Sequence, residues 1–325
     1  MMKKSFGGLW GAVGCALFMM SGLALADQTT TWPQRPVTIV VPFPPGGATD
    51  QLGRLVAERF TASFKQPAIV DNKPGAGGMI GSQFAAKAPA DGYTFLVGSV
   101  ANVLNHYFYR KIAFDFNKDL VPVAQLIQSP NYLGIAPNPN YKTLNEMIAY
   151  AKKHPKELSC ANTGVGASPY LSCELLKKLA DIDIVNVPYK GGMPAIQDTM
   201  AGQTSMVFSN ELLPFIADKR LIGIGVTSPE RSPFTPDIPA LRETLPGFDI
   251  TSWYGLFAPA GTPPAIVQKA AAEVNAMLKE ESVRKRLALL SATPVIRTQP
   301  EFAAYVSSEF TRWGEILKPM NIKLD

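Results

Sequence analysis

The segment VTIVVPFPPGGATDQLGR, from Val37 to Arg54, decides the fold. Its first residues are mostly apolar and β-branched, which predicts a buried strand, and the residues after Gly46 and Gly47 have the spacing of a helix from 49 to 64. The first N–H groups of a helix have no partner inside it, so this junction can hold an anion. A phosphate-binding loop, a dinucleotide-binding turn and a site for another acid all have this form.

Strand and helix patterns alternate along the rest of the chain. Further helices are predicted at 80–87, 144–153, 168–179, 194–201, 264–278 and 300–317. Between them, short Val- and Ile-rich runs such as IVNVPY and IGIGVTS predict parallel strands that are buried on both faces. The sequence therefore predicts the α/β class, in which ligands bind where strands end and helices begin.

The N-terminus predicts export. Residues 1–26 contain two lysines, an uncharged run from 5 to 26 and the sequence Ala24-Leu25-Ala26 before Asp27. This order is typical of a signal peptide, so we expect cleavage after Ala26 and a periplasmic protein. An uncleaved membrane anchor is the alternative, because the run is nearly long enough to span a bilayer.

Composition and charge exclude some classes of protein. The chain is 46% hydrophobic and 18% charged, as soluble globular proteins are, and its net charge of +5 falls to +3 without Lys3 and Lys4. No block of Lys and Arg is dense enough to indicate a nucleic-acid surface.

Two cysteines remain once the signal peptide is removed. Cys160 ends a predicted strand, and Cys173 follows in the second turn of the next helix. In an oxidising compartment they form either a disulfide or two buried thiols. A metal is not expected, since neither His106 nor His154 has ligand spacing to a cysteine.

The sequence carries no nucleotide-binding or catalytic motif. GVGAS, at 164–168, is similar to a dinucleotide fingerprint, but Asp181 and Asp183 precede the next strand instead of ending it. There is no GxxxxGK[ST] loop and no GxSxG serine elbow. His154 lies at a polar helix end, where a solvated role is expected. His106 lies in a predicted helix and is expected to be half-buried, with a packing or hydrogen-bonding role. We therefore expect neither an enzyme nor a cofactor.

Three strand–glycine–helix junctions remain as candidates for anion binding. They lie at 46–50, 75–81 and 164–168. Each alone could be a tight turn, in which glycine only supplies conformational freedom. Three in one exported chain favour the binding of a carboxylate.

Several motifs follow one another in order along nearly the whole mature chain: WPQRPVTIVVPFPPGGATDQLGR, VDNKPGAGGMIGS, FDFNKDLVPV, NVPYKGGMPAIQDTMAGQ and WYGLFAPAGTP. Together they closely resemble the substrate-binding receptors of tripartite tricarboxylate transporters, the Bug family. Two departures stand out, Ala90 in place of a proline and Tyr170 in place of a histidine. The second faces the expected cleft, so it bears on the identity of the ligand.

The resemblance implies a type II periplasmic-binding-protein fold of the Venus-flytrap kind. Two α/β lobes, joined by two crossover strands, would close on a small organic anion. Lobe one would comprise 32–127 and 253–325, and lobe two 128–252. Carboxylates in this family are held mainly by backbone N–H groups, hydroxyls and ordered water.

By position, the resemblance also implies ligand-binding residues on both lobes. In lobe one these are Phe43, Gly46, Gly47, Ala48, Thr49, Asp50, Gly77, Ser99 and Asn102. In lobe two they are Gly164, Ser168, Tyr170, Tyr189, Gly191 and Asn210. Asp50 is expected to pair with Arg54 four residues on, which favours a structural role. The aromatic rings at 43, 170 and 189 would either flank the ligand or pack in the core, and Lys190 would either attract acids or remain solvated.

The function implied is that of a monomeric solute-binding protein, which delivers a small carboxylate to the membrane subunits of its transporter. An organic acid, an amino acid and an aromatic acid all fit, and Tyr170 and Tyr189 favour a planar one. The alternative is a periplasmic protein of the same fold that signals through a membrane sensor kinase. An exported hydrolase is disfavoured because the serine elbow is missing and histidines are scarce.

Overall fold

The structure is a computed structural model that describes residues 31–109, 112–137 and 140–318. The predicted signal peptide and its cleavage site lie outside these residues. None of the helices described in these ranges is long and apolar enough to cross a bilayer.

Eleven strands are described. They are β1 Val37–Val41, β2 Ala68–Asn72, β3 Thr94–Ser99, β4 Leu120–Pro130, β5 Tyr132–Ile135, β6 Ser159–Asn162, β7 Val185–Pro188, β8 Met206–Ser209, β9 Ile222–Val226, β10 Thr251–Pro259 and β11 Thr293–Pro294.

The helices that accompany them are α1 Ala48–Phe64, α2 Met79–Ala86, α3 Val100–Phe108, α4 Phe116–Asp119, α5 Leu144–Lys153, α6 Ser168–Ala180, α7 Gly192–Met200, α8 Leu213–Ala217, α9 Pro264–Met277, α10 Glu281–Ala288 and α11 Gln299–Leu317. Short 3₁₀ turns lie at Ala76–Gly78 and Leu241–Glu243.

The strands form two mixed sheets. A six-stranded sheet has the order β11-β4-β10-β3-β1-β2, and a five-stranded sheet has the order β7-β6-β8-β5-β9. The parallel pairs are β1 with β2 and β3, and β6 with β7 and β8. β10 runs antiparallel to β3 and β4, and β5 runs antiparallel to β8 and β9. The prediction that the Val- and Ile-rich runs form parallel strands is therefore confirmed for β7, in IVNVPY, and wrong for β9, in IGIGVTS.

The antiparallel pairing follows from the path of the chain between the sheets. β4 ends at Pro130, and β5 begins at Tyr132 in the other sheet. After β9 the chain returns to the first sheet as β10, which enters from the end where β4 leaves and so runs in the opposite direction. Asn131 and Ser252 lie at these two crossings.

Apolar clusters bury both sheets under their helices. On one face of the six-stranded sheet, Phe60 of α1 packs in the core with Trp32 and Phe95, and the ring centroids lie 4.9–6.2 Å from their aromatic neighbours. Opposite them, the indole N–H groups of Trp253 and Trp313 both donate to one oxygen of Glu309, at 2.9 and 3.0 Å. These bonds satisfy a carboxylate that is only 3% exposed.

The element boundaries agree closely with the sequence patterns. The predicted helix at 144–153 is observed with those bounds, and the one at 49–64 begins one residue earlier. α7 begins at Gly192 instead of 194, because Pro194 is accommodated in a first turn, where its missing N–H is not needed. α10 was not predicted, since its core face consists only of Val283 and Leu287. His106 lies in α3, as predicted, but is exposed.

A disulfide joins Cys160 in β6 to Cys173 in α6, with the two sulfurs 2.06 Å apart. Both cysteines are fully buried. The bond ties the helix to the strand that precedes it, next to the glycine turn at 164–168.

Candidate ligand-binding site

A cavity of about 420 Å³ lies where loops and helix starts of both sheets meet. Its walls include the first residues of α1, α3, α6 and α7. The residues that line it are Phe43, Pro44, Pro45, Gly46, Gly47, Ala48, Thr49, Ser99, Val100, Ala101, Asn131, Thr163, Ala167, Ser168, Pro169, Lys190, Gly191, Gly192, Met193, Pro194, Asn210, Glu211, Ser252 and Tyr254.

The opening segment of the sequence forms one wall. Gly47 is the N-cap of α1 in an extended conformation, and no side chain caps the N–H groups of the first turn. A Cβ placed on Gly46 or Gly47 would meet nothing within 4 Å, which shows that the backbone faces open space here. These N–H groups, at the positive end of a 17-residue helix, can receive a carboxylate.

Asp50 stabilises this loop and does not line the cavity. Its carboxylate, 2% exposed, accepts hydrogen bonds from the Gly46 N–H at 3.0 Å, from Asn72 at 3.0 Å and from the Arg54 guanidinium at 2.9 and 3.2 Å. Burial raises the pKa of this carboxyl, but the bonds from Arg54, Gly46 and Asn72 outweigh it and leave the pKa below its ordinary value.

The start of α3 is capped by its own side chains. The Ser99 hydroxyl accepts from the Ala101 N–H at 3.3 Å, and the Asn102 side chain accepts from the Ser99 N–H at 2.8 Å. The Asn102 amide donates to Ser82 at 2.6 Å, so it points into α2. Ser99 lines the cavity, and Asn102 supports it from behind.

A hydroxyl and amide network forms the wall next to α6. The Ser168 hydroxyl lies 2.5 Å from that of Ser252 and accepts from the Asn131 amide at 3.1 Å. Asn131 and Ser252 come from the two chain crossings between the sheets. Both were missed in the sequence. Neither residue lies in a glycine motif. Only knowledge of where the chain crosses between the two sheets could have identified them as lining residues.

The last wall combines the start of α7 with the end of β8. Gly191, with φ 133° and no side-chain cap, precedes α7, and Asn210 and Glu211 follow β8. The Asn210 amide donates to the Tyr254 hydroxyl at 3.5 Å, which connects the two sheets across the cavity. Burial raises the pKa of Tyr254 to about 12 and also raises the pKa of Glu211 above its ordinary value.

Nine of the fifteen predicted residues line the cavity, and six do not: Asp50, Gly77, Asn102, Gly164, Tyr170 and Tyr189. The Gly77 carbonyl accepts from Asn105 at 2.8 Å. The turn at Gly164 passes close to the Tyr189 carbonyl. A Cβ on residue 164 would lie 2.8 Å from that oxygen, so glycine is needed there. The predicted junction at 75–81 therefore does not line the cavity, and the start of α7 forms that wall instead.

The two predicted tyrosines make contacts elsewhere. The ring of Tyr170 packs edge-on against Phe108, and the Tyr189 hydroxyl donates to Asp198 at 2.7 Å. Burial and the bond to Asp198 raise the pKa of Tyr189 to about 12. Because neither ring lines the cavity, they give no reason to prefer a planar ligand. The aromatic residues that do line it are Phe43 and Tyr254.

Within 31–109, 112–137 and 140–318, no three His, Cys, Asp or Glu side chains form a group that could hold a metal.

Comparisons with known proteins agree with this arrangement. The chain is 35% identical to the UPF0065 protein in the tcbD–tcbE intergenic region of Pseudomonas sp. strain P51, over 94% of this chain and 92% of that protein. Among solved structures, Rpa4515 of Rhodopseudomonas palustris with adipate is 32% identical with a TM-score of 0.83, covering 90% of this chain and all of that one. MatC of the same organism with bound malate is 35% identical with a TM-score of 0.79, covering 88% of this chain and all of that one.

These structures confirm the predicted fold class, a two-sheet α/β solute-binding protein. The family model described as the tripartite tricarboxylate transporter family receptor matches residues 52–322, which is most of the chain. The protein therefore belongs to the family of tripartite tricarboxylate transporter receptors.

Proposed function

We propose that this protein is a periplasmic receptor that captures a small carboxylate in the cavity and delivers it to the membrane subunits of a transporter, without catalysing a reaction. The observation that carries the proposal is the convergence of four helix N-termini on one cavity. At three of them, with N-caps Gly47, Ala167 and Gly191, no side chain occupies the capping position.

Uncapped helix starts suit a carboxylate because they present fixed N–H donors and partial positive charge. The first turn of α1 would hold the carboxylate, and the hydroxyls of Ser168 and Ser252 would serve neutral oxygens of the ligand or ordered water. Lys190, exposed at the cavity, would attract acids at long range.

Two lobes, 32–127 with 253–325 and 128–252, would close around the ligand. The cavity walls come from both sheets, so a bound acid would contact both lobes and favour the closed state. The membrane subunits would recognise that state. The adipate and malate bound by the two R. palustris proteins support a small organic acid as the ligand class.

Calorimetry with a panel of mono- and dicarboxylates, citrate, amino acids and aromatic acids tests the proposal. At least one acid should bind with a measurable enthalpy and raise the melting temperature, since ligands that bind only the folded state stabilise it. If no acid in the panel does either, the proposed function is wrong.

Gly47→Asp tests whether the start of α1 is the carboxylate site. An aspartate at this N-cap supplies a carboxylate of its own, so the variant should keep its stability or gain roughly a few tenths of a kcal/mol, and it should lose binding. Gly47→Asn is the matched control, because it caps the helix without charge and should weaken binding less. Unchanged affinity in Gly47→Asp would place the site elsewhere.

A further inference from the structure

Glu211 is the acidic residue among those that line the cavity. It follows β8 and is half-buried. Its carboxylate lies against the start of α7, where a Cβ on Gly192 would be 2.2 Å from Oε2. Its backbone N–H donates to the Ser209 hydroxyl at 3.1 Å, which fixes the residue at the end of the strand.

The Glu211 carboxylate has no partner in the described part of the chain. None of the side-chain hydrogen bonds or ion pairs formed within 31–109, 112–137 and 140–318 involves it. The ionisable side chains that share its cavity are Lys190, which is exposed, and Tyr254, a neutral hydroxyl that accepts from the Asn210 amide and whose pKa Glu211 helps to raise. By contrast, the Asp50 carboxylate behind the start of α1 is bonded to Arg54 and Asn72.

Partial burial of a carboxylate without a cation beside it costs free energy, and a negatively charged ligand in the same cavity would add repulsion. Burial raises the pKa of Glu211, which is the expected result of an uncompensated charge. A ligand ammonium beside this oxygen would offset that charge, whereas a second ligand carboxylate there would be repelled. Glu211 therefore distinguishes two classes of ligand that the α1 start alone would accept equally.

We infer that Glu211 selects ligands that carry an ammonium group as well as a carboxylate, so that the receptor prefers amino acids to diacids. The inference rests on the proposed function, because it needs the carboxylate of the same ligand to be held in the cavity. Glu211 would then determine the specificity of the site, and the neutral side chains of Asn210 and Tyr254 would line the cavity beside it.

Matched ligand sets test this inference by calorimetry. Each set contains an amino acid, the acid in which a methyl group replaces the ammonium group and the diacid in which a carboxylate replaces it. One set is 4-aminobutanoate, pentanoate and glutarate, and another is 3-aminopropanoate, butanoate and succinate. Wild-type protein should prefer an amino acid over its diacid by at least about tenfold, since one ion pair in a partly desolvated site is worth that factor or more.

Glu211→Gln should reduce the ratio of amino-acid to diacid affinity at least tenfold, because the amino acid loses its ion pair and the diacid loses a repulsion, and it should not weaken the binding of pentanoate. Its melting temperature without ligand should equal or exceed that of the wild type, because an unpaired charge has been removed. Glu230→Gln, an exposed change away from the cavity, is the matched control and should behave as the wild type.

The outcomes separate the inference from the proposed function. If diacids bind the wild type as well as or better than amino acids, or if Glu211→Gln keeps the preference, the receptor function stands and the role of Glu211 is refuted. If no acid of any class binds, the proposed function fails, and the inference fails with it.

Discussion

At the scale of single residues, Asp50 shows how a side chain behind a site can shape it. Its oxygens bind the Gly46 N–H on one side and Arg54 and Asn72 on the other, so it connects the glycine loop to α1 and β2. The (i, i+4) spacing to Arg54 allowed this role to be predicted from the sequence. The bond from Asn72 could not be predicted, because it depends on the parallel pairing of β1 with β2.

Asp50→Asn should lower the free energy of unfolding by about 2 kcal/mol, because an amide cannot accept all the bonds of a buried carboxylate. Urea unfolding at pH 7 measures this change. Asp71→Asn is the control, since Asp71 forms a half-exposed pair with Lys73 and its loss should change stability by less than about 1 kcal/mol.

The contribution of Asp50 also depends on pH in a defined direction. Its native pKa lies below the ordinary value of 3.8, so its stabilisation is complete above that value and is lost as pH falls toward the lowered native pKa. The difference in stability between wild type and Asp50→Asn should therefore be constant from pH 5 to 7 and shrink below about pH 4. A difference that grows on acidification would contradict this account.

At the scale of elements, the sequence specifies most helices and strands, because the apolar period and the end signals agree. α5 is the clearest case, with Thr143 and Glu146 forming a capping box at its start. The direction of β10 could not be predicted, since it depends on the return of the chain from the other sheet. For the same reason Asn131 and Ser252 were not found, although both line the cavity.

The disulfide between β6 and α6 should contribute about 3 kcal/mol, since it closes a short loop with a sequence separation of 13. The double variant Cys160→Ser, Cys173→Ser should lose about that much in equilibrium unfolding. A reductant should destabilise the wild type by a similar amount and leave the variant unchanged. If wild-type stability is the same with and without reductant, the bond contributes nothing.

At the scale of the whole molecule, Asn105 lies between a turn beside the six-stranded sheet, at Gly77, and a turn of the five-stranded sheet, at Gly166. It is fully buried in α3, and its amide donates to the Gly77 carbonyl at 2.8 Å. Its Oδ1 has no partner and faces Gly166, in the turn between β6 and α6, where a Cβ would be 2.2 Å away. Glycine at 166 is thus what permits the close approach of the two sheets beside the cavity.

Gly166→Ala should therefore weaken ligand binding at least tenfold, because the new methyl group would collide with Asn105 and hold the two parts of the molecule apart. Gly202→Ala is a matched control. Both glycines have positive φ, 88° and 74°, so both changes should cost about 1–2 kcal/mol of stability, but nothing lies within 4 Å of a Cβ at Gly202. Calorimetry and urea unfolding on both variants separate the two effects. Equal affinity in the two variants would show that this contact does not control closure.

The three helix starts without side-chain caps also have a consequence for the protein in solution. The N–H groups at the starts of α1 and α6 can receive any small oxyanion, whatever carbon skeleton it carries, whereas the start of α7 already lies against the Glu211 carboxylate. Sulfate, phosphate and acetate should therefore act as weak competitors. The apparent dissociation constant of the ligand should rise linearly with their concentration, and it should be lowest in a buffer whose only anion is chloride.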